Sequence, residues 1–231
     1  MIKKHIVKAY SNELITLNKK VINMSKSSLN NLKKSIKYMI EKNTKNAKKL
    51  IQEDILIDQM EKEIENFSVK LLALRKPVAQ DLRKVIACLK ISSDIERLGD
   101  YASNICKYTI SMSKTKQIPC VKIILTILKT IEKMFKKTMK AFIRSDSTSA
   151  INTWYQDEKI DEMYIKLLNN LLKCMIKDTK KIGTCTSLLF VTKQLERSGD
   201  HVANICEMIF YIEYGKPFMC NRTSHIKGKQ N

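Results

Sequence analysis

The residues in this chain best placed to do chemistry are carboxylates standing four apart. Glu96 and Asp100 lie in Ile91–Cys106 (ISSDIERLGDYASNIC), and that segment returns as Val191–Cys206 (VTKQLERSGDHVANIC) with Glu196 and Asp200. Each copy is preceded by a second acidic pair, Asp54 and Asp58 in the first half and Asp157 and Asp161 in the second, in the parallel contexts IDQM and IDEM. On a helix this spacing stacks both carboxylates on one face, about one turn apart. Like charges held there repel, and a bound metal ion is the simplest compensation. Oxygen-only donor sets suit hard or borderline cations such as iron, manganese, magnesium or zinc. With 23 acidic residues in 231, one such pair usually means a solvated helix face. Both pairs recur at matching places in both halves, and that recurrence points to two copies of one unit.

Competing readings of the same residues stay open. Arg97 and Arg197 could neutralise the acids, pairing across helices with Asp54 or Asp157, and the sites would then be structural. Gly99 and Gly199 each sacrifice about 1 kcal/mol of helix propensity, which suggests close approach of another backbone or a ligand. No nucleophile–base pair, Gly-rich phosphate loop or HExxH is present, and none of the three His makes the ExxH of di-iron bundles. No catalytic residue is therefore assigned. His201 follows Asp200, but position 101 is Tyr, so His201 reads as a groove-lining side chain. Cys106 and Cys206 read as small core residues.

The elements that must carry these groups are helices. Val7, Tyr10, Leu14, Leu17, Val21 and Met24, then Leu29, Leu32, Ile36 and Met39, keep bundle spacing over about 5–42. A second helix is expected over 44–74, with Asp54 on a seam where Leu or Ile would be usual. A third has Pro77 in its first turn and carries Glu96 and Asp100 at the border of the core. The polar stretch 111–120 reads as the linker. The pattern then restarts, with Ser145–Thr148 marking an N-cap, Asp157 and Asp161 on a fifth helix, a turn at 181–183 and a sixth helix ended by Gly215. The expected fold is all-α: two tandem three-helix bundles related by an internal repeat, 1–112 and 119–214, with a disordered tail over 215–231.

Composition narrows the function classes. The formal charge is +20, but 37 of the 43 basic residues are Lys and six are Arg, with Lys on nearly every helix. That pattern favours solvated faces over a forked phosphate-reading surface. Seven Cys without any CxxC argue for reduced thiols in a cytosolic protein. No run of about 18 uncharged apolar residues and no signal peptide are read, and cytoplasmic localisation is expected.

At KPVAQDLRKVIACLKISSDIERLGDYASNI (76–105) and LERSGDHVANI (195–205) the sequence resembles the PhoU family, accessory proteins of phosphate-specific transport systems. The resemblance covers nearly the whole chain, to about residue 214. It implies multinuclear iron or zinc clusters at E(D)xxxD motifs, whose matching positions are the eight carboxylates above. It also implies a cytoplasmic negative regulator of phosphate uptake that damps the sensor histidine kinase PhoR and contacts the transporter ATPase PstB. Two departures stand out: Ser198 where the first copy has Leu98, and KDTKKIGTC where the second copy lacks a PVAQDLR counterpart, so the two halves are expected to differ in metal occupancy. Rival classes are a carboxylate-bridged metal-binding protein or enzyme, and a basic polyphosphate or nucleic-acid binder. A homodimer is one expectation for the oligomeric state.

Overall fold

In a computed structural model, residues 2–113 and 118–219 are described, with side chains from residue 10 onward. The side chain of Val7 in the first stripe, part of the expected linker and positions 220–231 of the expected tail lie outside what is described. The described residues form helices and no strand.

The first helix, α1 (Ile2–Glu41), buries Leu17, Val21, Met24, Leu32 and Ile36 completely. Steps of three and four residues put this stripe on one face. Lys42 closes the helix in the left-handed region (φ 54), and the Asn43 side chain then accepts the Asn46 N–H to start α2 (Thr44–Glu53). After α3 (Ile55–Arg75) and an extended Val78, α4 runs from Ala79 to Ser111. The second half repeats the plan with α5 (Val121–Arg144), α6 (Ser147–Trp154), α7 (Glu158–Lys177), a 3₁₀ turn at Thr179–Lys181 and α8 (Ile182–Tyr214). Its α5–α6 joint copies the first: Ser145 is left-handed (φ 53), and the Asp146 side chain accepts the Ser149 N–H. Short polar side chains at this place satisfy helix-start N–H groups that would otherwise be orphaned.

The structure corrects three local expectations. The helix expected over 44–74 is interrupted at Asp54, and its counterpart is interrupted over 155–157. Both interruptions use tightened bonds: Ile57 N–H to Asp54 O at 2.8 Å, and Ile160 N–H to Asp157 O at 2.7 Å, each spanning three residues. Pro77 precedes α4 instead of lying in its first turn, because Lys76 is left-handed and Val78 extended. Gly183 lies inside α8; the turn is made at 178–181, where the Asp178 side chain accepts the Lys180 N–H.

Each half is thus a three-helix unit whose middle helix is broken. Helix α4 packs along α1, α2 and α3 of its own half and along α8 of the other. The two third helices are therefore the shared spine. Arg83 near the start of α4 adds a tie, its Nε donating to Ile212 O at 3.0 Å and its guanidinium lying against Gly215 at the end of α8. At the chain's end Phe218 packs edge-on to Trp154 and Phe210.

Candidate functional site

In the first half the break in the middle helix turns Asp54 toward α4. Gly99 makes room for it: a Cβ there would meet Ile57 Cγ2 at 3.2 Å and Asp54 Oδ1 at 3.3 Å. One turn from Gly99, the buried Ser28 hydroxyl of α1 donates to Ile95 O at 2.8 Å, fixing α4 beside Glu96. Asp54, Asp58, Glu96 and Asp100 consequently share one electrostatic neighbourhood. Burial, then the charges of Asp100 and Asp58, push the Asp54 carboxyl up to about 6, against an opposing hydrogen bond from Ser103. Burial and Asp100 push Glu96 up to about 7, with Arg97 opposing. Asp54 Oδ1 is buried and accepts no hydrogen bond. Desolvated carboxylates crowded by like charge hold protons unless a cation replaces them.

Arg97 does neutralise acids, but within its own helix: its guanidinium donates to Asp100 at 3.0 Å and lies 3.6 Å from Glu96. Sequence reasoning missed a fifth acid, Glu61, which is raised by burial and by neighbours including Asp58. Spacing offers a signal, since Asp54, Asp58 and Glu61 occupy one helical face. The repeat concealed it, because the matching residue of the second half is Tyr164.

The second half uses the same frame with different charges. Asp157 is buried, 2% exposed, and faces Gly199, where a Cβ would meet its Oδ1 at 2.7 Å and Ile160 Cδ1 at 2.9 Å. Asp200 follows on the same helix, and Asp161 lies one turn along α7. Glu196 is drawn to Lys193, whose ammonium lies 2.5 Å from its Oε2 and 5.5 Å from the Tyr164 ring centroid. Where the first half has Glu61 and Ser93, the second has Tyr164 and Lys193, so it carries a cation of its own. Among the described residues, no three His, Cys, Asp or Glu side chains are gathered closely enough to hold a metal ion as they stand.

Between the two acidic groups runs a cross-repeat network. His201 Nε2 meets the Tyr101 hydroxyl at 2.9 Å, and its Nδ1 meets Asp94 at 2.8 Å. Tyr101 and His201 occupy equivalent positions of the two copies, and their bond joins α4 to α8. His201 therefore ties the halves together. Cys106 and Cys206 are both buried in the core, as expected.

Fold and site together define a two-repeat, all-α protein with an acidic group on each repeat and a shared helical spine. The PhoU domain model matches residues 21–109 and 124–209, one match per repeat. The chain belongs to the PhoU family. A Xylella fastidiosa protein called "Phosphate-specific transport system accessory protein PhoU homolog" is 33% identical over 227 residues, covering 96% of this chain and 94% of the relative. A Caulobacter vibrioides relative with the same description is 35% identical over 219 residues, covering 94% and 95%. Among solved structures, PhoU from Pseudomonas aeruginosa matches with a TM-score of 0.85 and 28% identity over 90% of this chain and all of the other. The phosphate transport system regulatory protein PhoU from Streptococcus pneumoniae matches with a TM-score of 0.86 and 29% identity over 91% of this chain and all of the other. Among the described residues, no helix is long and apolar enough to cross a membrane.

Proposed function

We propose that the protein acts in the cytoplasm as a non-enzymatic negative regulator of phosphate uptake, an adaptor between a transporter ATPase of the PstB kind and a sensor kinase of the PhoR kind. Support comes from near-complete coverage of relatives described as phosphate-specific transport system accessory proteins. The partners are carried over from the family resemblance. In a strain lacking this gene, phosphate-uptake transcripts should rise in phosphate-rich medium, and tagged protein should recover the ATPase or the kinase. Unchanged transcripts in a host that retains both partners would reject the reading.

We propose further that the acidic groups take divalent cations, iron or zinc foremost. The observation that carries this is the first-half group, where a buried, unpartnered Asp54 oxygen sits among crowded acids. Asp54, Asp58, Glu61, Glu96 and Asp100 offer only hard oxygen donors, which suits such ions. A bound cation would neutralise the group and lock α3 to α4. Asp157, Asp161, Glu196 and Asp200 form the second candidate, with Lys193 already supplying charge there, so the first half should load more tightly. Elemental analysis of purified protein tests this, and protein that retains no iron, zinc or manganese after equilibration would refute it.

A further inference from the structure

The internal repeat provides its own control for reading the surface. Helices α1 and α2 correspond to α5 and α6 through their closing residues, Lys42 and Ser145, and their caps, Asn43 and Asp146. Between α5 and α6 lies a groove of about 260 Å³, lined by Lys137, Lys140 and Arg144 on one side and Ser149, Asn152 and Gln156 on the other, with Ala141 among its lining residues. In the first half the place of Ala141 is taken by Tyr38, which packs against the core. The place of Arg144 is taken by Glu41, paired with Lys37 at 3.8 Å, and that of Gln156 by Glu53, paired with Lys49 at 3.5 Å. One half fills this position and, with Lys34 in the place of Lys137, sets two glutamates against three lysines. The other leaves it open and cationic.

The groove's one acid is already engaged. Asp146 accepts the Ser149 N–H at 2.8 Å and its hydroxyl at 2.5 Å. Among the described residues Lys137 donates to Gln156 Oε1, at 3.5 Å. We propose that the α5–α6 groove is a binding site for a phosphate-class oxyanion, either inorganic phosphate or the end of a linear oligophosphate. A guanidinium forks onto two oxygens of such an ion, and ammonium groups beside it add charge-assisted bonds. The amides of Asn152 and Gln156 supply neutral donors, and the Gln156 wall leads directly into Asp157 at the break of the middle helix. This inference stands on charge and shape alone and does not depend on the adaptor reading.

Calorimetric titration of the full chain at fixed ionic strength, with inorganic phosphate, tripolyphosphate and sulfate as probes, tests it. One site should bind phosphate or tripolyphosphate more tightly than sulfate. Arg144→Glu, which restores the first half's residue, should weaken that binding by at least about tenfold, and Arg144→Gln by less. Lys37→Gln, at the first half's counterpart of Lys140, should change nothing. Both positions are exposed, and melting curves should be unaltered. No binding by the wild type, equal affinity in Arg144→Glu, or sulfate binding as tightly as phosphate would each overturn the proposal. Because the measurement contains neither kinase nor ATPase, such a result leaves the adaptor reading untouched.

Discussion

Replacing Gly199 by Ala should destabilise the protein, whereas the same change at Gly99 should be close to neutral. Both glycines lie within long helices, so either substitution gains about 1 kcal/mol of helix propensity. The added methyl decides the outcome. At Gly199 it would sit 2.7 Å from Asp157 Oδ1 and 2.9 Å from Ile160 Cδ1, and both residues are buried, so α7 must move away from α8. Overpacking of this kind costs about 1–3 kcal/mol, and with both contacts under 3.0 Å the upper part of that range applies, about 2–3 kcal/mol, which leaves a net loss of roughly 1–2 kcal/mol. At Gly99 the nearest atoms stand at 3.2 and 3.3 Å, and a few tenths of an ångström of relaxation suffices. For a chain of this size, 1 kcal/mol shifts Tm by roughly 2–4 °C, so thermal melts of metal-free protein resolve the difference. A Gly199→Ala protein as stable as the wild type, or a Gly99→Ala protein that is the less stable of the two, would refute the close-approach account.

Three more outcomes follow from the same geometry. Metal-free protein should lose stability as pH rises from about 4 to about 7: Asp54 and Glu96, raised to about 6 and about 7 in the fold, keep it more protonated than the unfolded chain in that window, so each rise in pH favours unfolding. The solvent-screened effect is of order 1 kcal/mol per group, and denaturant titrations across that range would show it; a flat profile contradicts the crowding. Asp54→Asn with Glu96→Gln should raise the metal-free Tm at pH 7 and remove the first half's stabilisation by added zinc or manganese, which in the wild type should grow with free cation as mass action requires; identical cation responses would count against the site. Proteolysis between Ser113 and Ile118 should leave the halves together on gel filtration, since α4 and α8 pack along each other and Arg83 and His201 bond across the repeat; separation into two fragments would contradict that interface.

The repeat and the helices are legible in the sequence, the first from two matching segments one hundred residues apart and the second from local periodicity. The stripe from Leu17 to Met39 requires nothing but spacing to be read as one buried face. The breaks at Asp54 and 155–157 are not legible. Neither contains Gly or Pro, and the three- and four-residue pattern continues through both. Asp54 also makes no cap bond of its own, because its side chain is directed to α4 instead, so the usual sign of a helix start is missing. Gly99 and Gly199 are the indirect trace, since each exists to admit the residue at the break on the facing helix.

The spine was concealed for a different reason. Ile91, Ile95, Leu98, Ala102 and Ile105 describe one core-facing stripe of α4, yet Ser92, Tyr101, Ser103 and Thr109 are buried as well. A helix buried on that many faces has neighbours on more than one side, and small or hydroxylated residues in such positions permit close packing that hydropathy does not register. Once α4 and α8 are recognised as the shared element, the two acidic groups are no longer independent. Each uses carboxylates from one of these two helices, and Tyr101 and His201 join the helices immediately after Asp100 and Asp200. A cation that locked α3 to α4 in the first half, as proposed, would therefore act on a helix that the second half also packs against. This geometry gives a two-repeat protein a physical route for communication between its halves, whereas two separate bundles on a flexible linker would have none.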